Sequence, residues 1–114
     1  MTLKTTKVVD DKEKAIFLFT SNKALTNQTL FELTDLNNAT SSPEVSLANI
    51  LYEIDGNMNI NFIDDSDNII KLKNDGNWGL KPNEERIKGT NNLTITSTGK
   101  FLICLEVQKE KGFN

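Results

Sequence analysis

The sequence predicts a single all-β domain, an antiparallel β-sandwich or jelly roll of about seven to nine short strands. Apolar and polar residues alternate over short runs, which is the periodicity of a strand. Turn-forming residues separate these runs at intervals of about eight to twelve residues. No long run has the helical period, and the length of 114 residues suits one domain.

Residues 1–12 are predicted to form an N-terminal arm or edge strand, and residues 13–109 the β-sandwich domain. Only Val8 and Val9 are strongly apolar after Leu3 in this first segment. Because so few apolar side chains are available to hold it against a core, the arm is favoured over the edge strand.

The first strand of the domain is predicted at Ala15–Thr20, where aromatic and β-branched residues dominate and both faces are apolar. Thr29–Leu36 is also predicted to be a strand, although the spacing of its leucines fits a short helix as well. Asn37–Pro43 consists of residues that favour turns, and it is predicted to be a loop.

A meander of three strands is predicted in the middle of the chain, at Glu44–Asp55, Met58–Phe62 and Ile69–Lys73. Asp55–Asn57 predicts the first hairpin turn, because its central glycine accepts a positive φ at no steric cost. Asp64–Asn68 predicts the second turn, since it contains only small polar and acidic residues.

The last third of the chain is predicted to begin with a turn at Asn74–Asn77, which leads into Trp78. Leu93–Thr96 and Lys100–Gln108 are predicted strands, and Ser97–Gly99 is predicted to join them as a final hairpin. This hairpin would close the domain.

Lys100–Gln108 is the most strongly strand-like run of the chain. The odd-numbered residues from Phe101 to Val107 are all apolar, and Leu102 and Cys104 make half of the opposite face apolar as well. A strand of this kind is expected to be covered on both sides, which favours a layered fold over a lone hairpin.

The composition argues against several classes of function. The chain has no histidine, the commonest general base and neutral metal ligand, so we expect no enzyme and no cofactor. Its one cysteine, Cys104, allows no internal disulfide and is expected to be a core residue. The net charge of −3 and the scattered lysines disfavour nucleic acid, and the lack of a long apolar run disfavours a membrane partner.

Asp64, Asp65 and Asp67 suggest a calcium site, because Ca²⁺ takes several oxygen ligands from one loop. The loop lacks the glycine and the glutamate that an EF-hand loop has at fixed positions. A solvated turn is therefore favoured, and a loosely bound cation is left open.

Trp78 is the only tryptophan, and it lies between flexible residues. An exposed ring could stack on a sugar or anchor a protein contact, whereas a buried ring would close one end of the core, and burial is favoured. Tryptophan and arginine are enriched at interface hot spots, so Trp78, Leu80 and Arg86 are predicted to contact a protein partner. A glycan-binding module that uses Trp78 is the alternative from another class of function.

Several segments resemble a group of small proteins of marine tailed bacteriophages. The resemblance covers the chain from about Ala15 onward and is carried by strand-and-turn patterns at Asn22–Leu30, Leu93–Gly99, Phe101–Lys109 and Gly112–Phe113. It implies a virion structural protein on a β-sandwich or jelly-roll fold, specifically a capsid decoration (cement) protein that binds and stabilises the shell of the major capsid protein. A structural protein of the head-tail junction or tail is the alternative.

The resemblance implies a location in the virion, assembled in the host cytoplasm, and contacts with the major capsid protein or other virion proteins. The N-terminal arm, the loop Asn37–Pro43 and the C-terminal tail of residues 110–114 are expected to make these contacts. Their apolar anchors would be Leu3, Val8, Val9 and Phe113. Many weak contacts would add up over a lattice, and a homo-oligomer is left open.

Overall fold

A computed structural model describes residues 3–79 and 86–114. It confirms the all-β prediction, since its eight strands are antiparallel and form one curled sheet in the order β1-β2-β8-β4-β7-β3, with β5 and β6 also paired to β4. The strands are β1 Leu3–Asp10, β2 Lys14–Ser21, β3 Leu25–Phe31, β4 Ala39–Phe62, β5 Ile70–Gly79, β6 Lys88–Gly89, β7 Leu93–Ser97 and β8 Phe101–Phe113. None of the described residues forms a helix that could cross a bilayer.

β4 connects the two halves of the sheet. Up to Ile54 it pairs with β8, and from Met58 onward it pairs with β7. Because one strand belongs to both halves, the sheet folds over and its two inner faces pack as a β-sandwich. The largest side chains that are fully buried between these faces are Phe19, Leu47, Ile50, Met58, Ile60, Phe62, Leu93, Ile95, Ile103 and Leu105.

The hairpin predicted at Asp55–Asn57 is wrong, because β4 continues through these residues. Gly56 has a φ of 111°, and the ladder with β5 shifts register between Glu53 and Asn57, so the β4–β5 ribbon bends without ending. Thr98 fixes the bend: its N–H donates to the Asn57 carbonyl at 3.0 Å, and its Oγ1 accepts from the Asn57 N–H at 2.9 Å. The glycine therefore provides a bend between the two halves of the sheet.

Several other predicted turns lie within strands. Asn74–Asn77 is part of β5 opposite the bend of β4, and most of Asn37–Pro43 is the start of β4. Ser97–Gly99 does join β7 to β8, but these strands are not neighbours in the sheet. The polar side chains of such segments lie on the solvent side of paired strands. Asp64–Asn68 does join β4 to β5 as predicted.

The first and the last strand of the described residues are both part of the sheet. The favoured N-terminal arm is wrong, because Leu3–Asp10 pairs along β2, which makes it the predicted alternative, an edge strand. The predicted tail of residues 110–114 is also wrong in most of its length, since β8 runs to Phe113 and pairs with Ala39 of β4. Backbone hydrogen bonds to neighbouring strands hold both segments in the sheet. The small number of apolar side chains in these segments did not indicate this attachment.

The segment predicted as one strand at Thr29–Leu36 divides in two. Its first part completes β3, and Leu33–Asp35 forms a short 3₁₀ helix. Leu33 and Leu36 are both buried, so the leucine spacing that also fitted a helix places these side chains against the core.

Gly89 of β6 is required for the packing of Phe62. A Cβ at Gly89 would overlap the fully buried Phe62 ring, so we expect Gly89→Ala to lower the free energy of unfolding by about 1–3 kcal/mol. Gly79→Ala is the matched control, because its nearest side-chain atom, Asn49 Oδ1, would be 3.5 Å from the new Cβ. Urea unfolding followed by circular dichroism measures both, and equal losses would contradict this account.

Candidate protein-interaction surfaces

β1 is an edge of the sheet, and among the described residues it pairs only with β2. The register shifts between Lys7 and Val9, so Val8 lies in a bulge, where 59% of its surface is exposed. An edge strand offers unpaired backbone N–H and C=O groups to another chain. The structure thus brings three predicted contact residues onto one edge strand: Leu3, Val8 and Val9.

Trp78 and Phe113 both pack against the core and are half-buried. Trp78 lies opposite Ile50, a fully buried residue of β4. The Phe113 ring is covered on one side by the Lys109 ammonium, 5.1 Å from the ring centroid, as in a cation–π contact. Both rings therefore lie against the core of the chain itself, and their contact with a partner stays a prediction.

Arg86 and Leu80 complete the predicted contact residues. Leu80 lies outside the described residues. Arg86 is exposed, and its Nη1 is 3.8 Å from Glu110 Oε1 near the end of β8. An exposed ion pair of this length adds little to stability. Arg86 precedes β6, which pairs with β4, so it does not belong to the β1 edge strand.

A second surface was missed in the sequence: the outer face of the five neighbouring strands β1, β2, β8, β4 and β5, turned away from the core. The strand register aligns its outward side chains in rows that cross all five strands. The central row is Thr6, Leu18, Cys104, Leu51 and Asn77, and the next row is Lys4, Thr20, Leu102, Glu53 and Asp75.

The middle of the outer face is apolar and open to solvent. Leu51 is 55% exposed and Leu102 is 42% exposed, while Leu18 and Cys104 beside them are half-buried. The cover predicted for both sides of Lys100–Gln108 is present only on the inner side within the described residues. Cys104, predicted to be a core residue, is on this outer face. Leu102 and Cys104 were the sequence signal for this surface, because they make β8 apolar on its second face.

Two depressions adjoin Leu102, the first near the end of β2, the bend of β4 and the start of β8, and the second on the outer face. One, of about 470 Å³, is lined by Ser21, Glu53, Ile54, Asp55, Lys100, Phe101 and Leu102. The other, of about 620 Å³, is lined by Leu51, Tyr52, Glu53, Asp75, Gly76, Asn77 and Leu102. Glu53 and Leu102 belong to both depressions. An apolar side chain of another protein could therefore fit into a depression beside Leu102. The carboxylates of Glu53, Asp55 and Asp75 line these depressions.

Lys109 forms a buried polar centre at one end of the sandwich. Its Nζ donates to the Asp10 carboxylate and to the backbone carbonyls of Asp11 and Asn37, the last at 2.9 Å. The side chains of Lys109 and Asp10 are only 1% and 3% exposed. One ammonium thus links β8 to the β1–β2 turn and to the segment that precedes β4. Lys109 is the next residue in the series of alternate, inward-facing positions from Phe101 to Val107. This position in the sequence indicated that its side chain would face inward.

The Asp10 carboxylate is held in its ionised form. Burial raises the pKa of Asp10, but the hydrogen bonds from Lys109, the Asn37 N–H and Lys7 outweigh burial and leave the pKa below its ordinary value of 3.8. Asn37 also donates from its side chain to the Asp10 carbonyl at 3.1 Å. The four residues form a satisfied network, in which each charge has a partner.

The acidic turn that suggested calcium is organised by its own hydrogen bonds. The Asp65 carboxylate accepts from the Asp67 N–H at 3.2 Å and from the Asn68 side chain at 2.9 Å. No group of three or more acidic, cysteine or histidine side chains in residues 3–79 and 86–114 is arranged to hold a metal ion. These contacts are those of a solvated turn.

No protein-family model and no curated protein matches the chain. A cupin superfamily protein from Desulfitobacterium hafniense is 14% identical, over 96% of this chain and 78% of that one, with a TM-score of 0.47. An RmlC-like cupin protein from Desulfovibrio desulfuricans is 15% identical over 92% and 81%, with a TM-score of 0.45. An RmlC-like cupin family protein from Methanocaldococcus jannaschii is 12% identical over 95% and 80%, with a TM-score of 0.43. Values this low assign neither a family nor an activity to this chain.

Removing the Lys109 ammonium should make the folded chain less stable. Lys109→Met leaves the buried Asp10 carboxylate and two carbonyls without this donor, so we expect the free energy of unfolding to fall by about 3–5 kcal/mol. Lys111→Met, two residues along the same strand and exposed, is the control and should change it by about 0.5 kcal/mol or less. Denaturant unfolding at neutral pH measures both.

The lowered pKa of Asp10 predicts a pH dependence with a definite sign. Stability from its ionised form is present above its ordinary pKa of 3.8 and is lost as the pH falls through the lower pKa of the folded state. We expect Asp10→Asn to be less stable than the unaltered chain at neutral pH and to lose less stability on acidification. Thermal unfolding across the acid range measures this. Asp64→Asn, at an exposed position, serves as control, and parallel curves for all three proteins would contradict the prediction.

Proposed function

We propose that this chain is an accessory structural protein of a bacteriophage virion, a decoration protein that binds the shell of the major capsid protein and stabilises it. The proposal starts from the sequence resemblance to small virion proteins of marine tailed bacteriophages. The structural observation that supports it is the β1 edge strand, on which Val8 is exposed, because such an edge can bind another protein.

The way the first and last strands are tied suits a protein that must survive on a particle. β1 pairs with β2 from Leu3 to Asp10 except at the Val8 bulge, and the Asn114 N–H donates to the Asn38 carbonyl at 2.8 Å. The Lys109 network joins both end strands at the same place. Pairing of this kind limits local unfolding and proteolysis at these two strands.

The β1 edge supplies the docking site. An extended segment of a shell protein would pair with the free side of Leu3–Asp10, and Val8 would bury its exposed side chain against it. Main-chain hydrogen bonds give such strand addition its affinity, while the side chain gives specificity. Repetition over the shell lattice then strengthens a modest single contact.

The alternative class, a glycan-binding module, depends on an exposed Trp78. The half-buried ring packs against the core, which disfavours stacking on a sugar. A role at the head-tail junction or tail would use the same β1 edge, but at a small number of copies per particle. Copy number therefore separates the two virion roles.

Val8→Asp is expected to abolish binding to particles while the domain stays folded, because a charge at this exposed position opposes burial against a partner strand. Ile63→Asp is the matched control, since Ile63 is 56% exposed but follows β4, a strand that does not pair with β1. The assay is co-sedimentation with purified phage particles that lack the protein, using phage whose genome carries this gene.

Quantitative mass spectrometry of the same particles gives the ratio of this chain to the major capsid protein. Hundreds of copies per particle support decoration, and a small ring supports the junction or tail. Absence of the chain from purified particles, or full binding by Val8→Asp, would overturn the proposal.

A further inference from the structure

We propose that the outer face of β1, β2, β8, β4 and β5 is a contact between two copies of this chain. This inference is independent of the virion role. It rests on the order of the five strands, in which β8 is the middle one, and on the residues that the register places to either side of it.

The rows of the outer face that contain Cys104 and Leu102 are each complementary to the same row of a second copy. If two copies stack face to face about a two-fold axis that runs along β8, each strand to the left of β8 lies over the strand at the same distance to the right in the other copy. In the central row, Leu18 on β2 then meets the partner's Leu51 on β4, and Cys104 meets the partner's Cys104. In the next row, Leu102 meets the partner's Leu102.

The same axis pairs opposite charges at the margins. Lys4 on β1 is four strands away from Asp75 on β5 within one copy, and both are exposed and belong to one row. In the stacked pair, Lys4 lies over the partner's Asp75, and this contact occurs twice. An apolar centre between oppositely charged margins is the arrangement of a self-complementary interface.

The size of the face is enough for a weak specific dimer. Five strands about 4.8 Å apart and successive rows of outward residues cover roughly 25 by 25 Å, or about 600 Å² per copy. The total of about 1,200 Å² is at the lower limit of stable protein contacts. A concentration-dependent monomer–dimer equilibrium is therefore the expected behaviour.

Glu106 limits this affinity. It lies on β8 in the row that contains Ile16 and Asn49, so the two-fold axis brings the two Glu106 carboxylates toward each other. Like charges that face each other across a contact oppose it. The geometry thus predicts one substitution that strengthens the dimer, alongside those that weaken it.

The first test is sedimentation velocity over a wide range of protein concentrations. We expect the unaltered chain to dimerise, Leu102→Glu to weaken the dimer by about tenfold or more, and Glu106→Gln to strengthen it. Ile63→Glu introduces the same charge at an exposed apolar position away from the outer face and should leave the equilibrium unchanged. A chain that stays monomeric at every concentration, including Glu106→Gln, would overturn the proposal.

The second test is a charge exchange between the margins. Lys4→Glu or Asp75→Lys alone should weaken the dimer, and the double variant Lys4→Glu/Asp75→Lys should restore it, because each copy then offers the reversed pair. Failure of the double variant to recover dimerisation would reject this axis. Circular dichroism confirms that each variant is folded.

Cys104 gives a direct test of the axis. As the only cysteine, it can be joined by a short bis-maleimide reagent only to Cys104 of another copy. We expect rapid formation of a covalent dimer, and strong loss of this product with Leu102→Glu but not with Ile63→Glu. Equal yields with both variants would indicate random collisions. The assay needs no phage particle, so its failure and the failure of the virion role are separate outcomes.

Discussion

The membership of β4 in both halves of the sheet is the constraint on which the fold depends. Its first half pairs with β8 and its second half with β7. The two inner faces can therefore pack around one core only if β4 bends while it stays paired with β5. Gly56 allows this bend with its positive φ, and Thr98, which directly follows the neighbouring strand β7, holds it by hydrogen bonds to Asn57. The Lys109 network then closes one end, where β8, the β1–β2 turn and the start of β4 come together.

The sequence predicted the inward face of the strands well, because alternation of apolar residues is a local property. Phe17, Phe19, Ile60 and Ile103 are all buried as the periodicity requires. It did not predict whether Asp55–Asn57 ends a strand. A glycine between polar residues suits a hairpin turn and a bulged bend equally, and the choice depends on Thr98, more than forty residues away. Long-range pairing of this kind leaves no local signal.

The errors at the two chain ends have a common physical origin. Polar segments were expected to be free because they carry few apolar residues, yet β1 and the end of β8 are fixed by backbone pairing and by Lys109. The alternation along β8 placed Lys109 on the inner face, and a lysine there requires acceptors from elsewhere in the chain. The need for partners could be read from the sequence, whereas the identity of Asp10 and Asn37 could not.

The two proposed contacts use different parts of the same sheet and are compatible with each other. In a pair stacked about an axis along β8, each β1 lies over the partner's β5 with its free backbone edge directed sideways. The pair then carries two such edges on opposite sides. A dimer that docks through both gains from effective concentration, because binding of one edge holds the second near its site. The apolar face of β8 and the edge of β1 are thereby linked: the first would join the copies, and the second would attach the pair to a lattice.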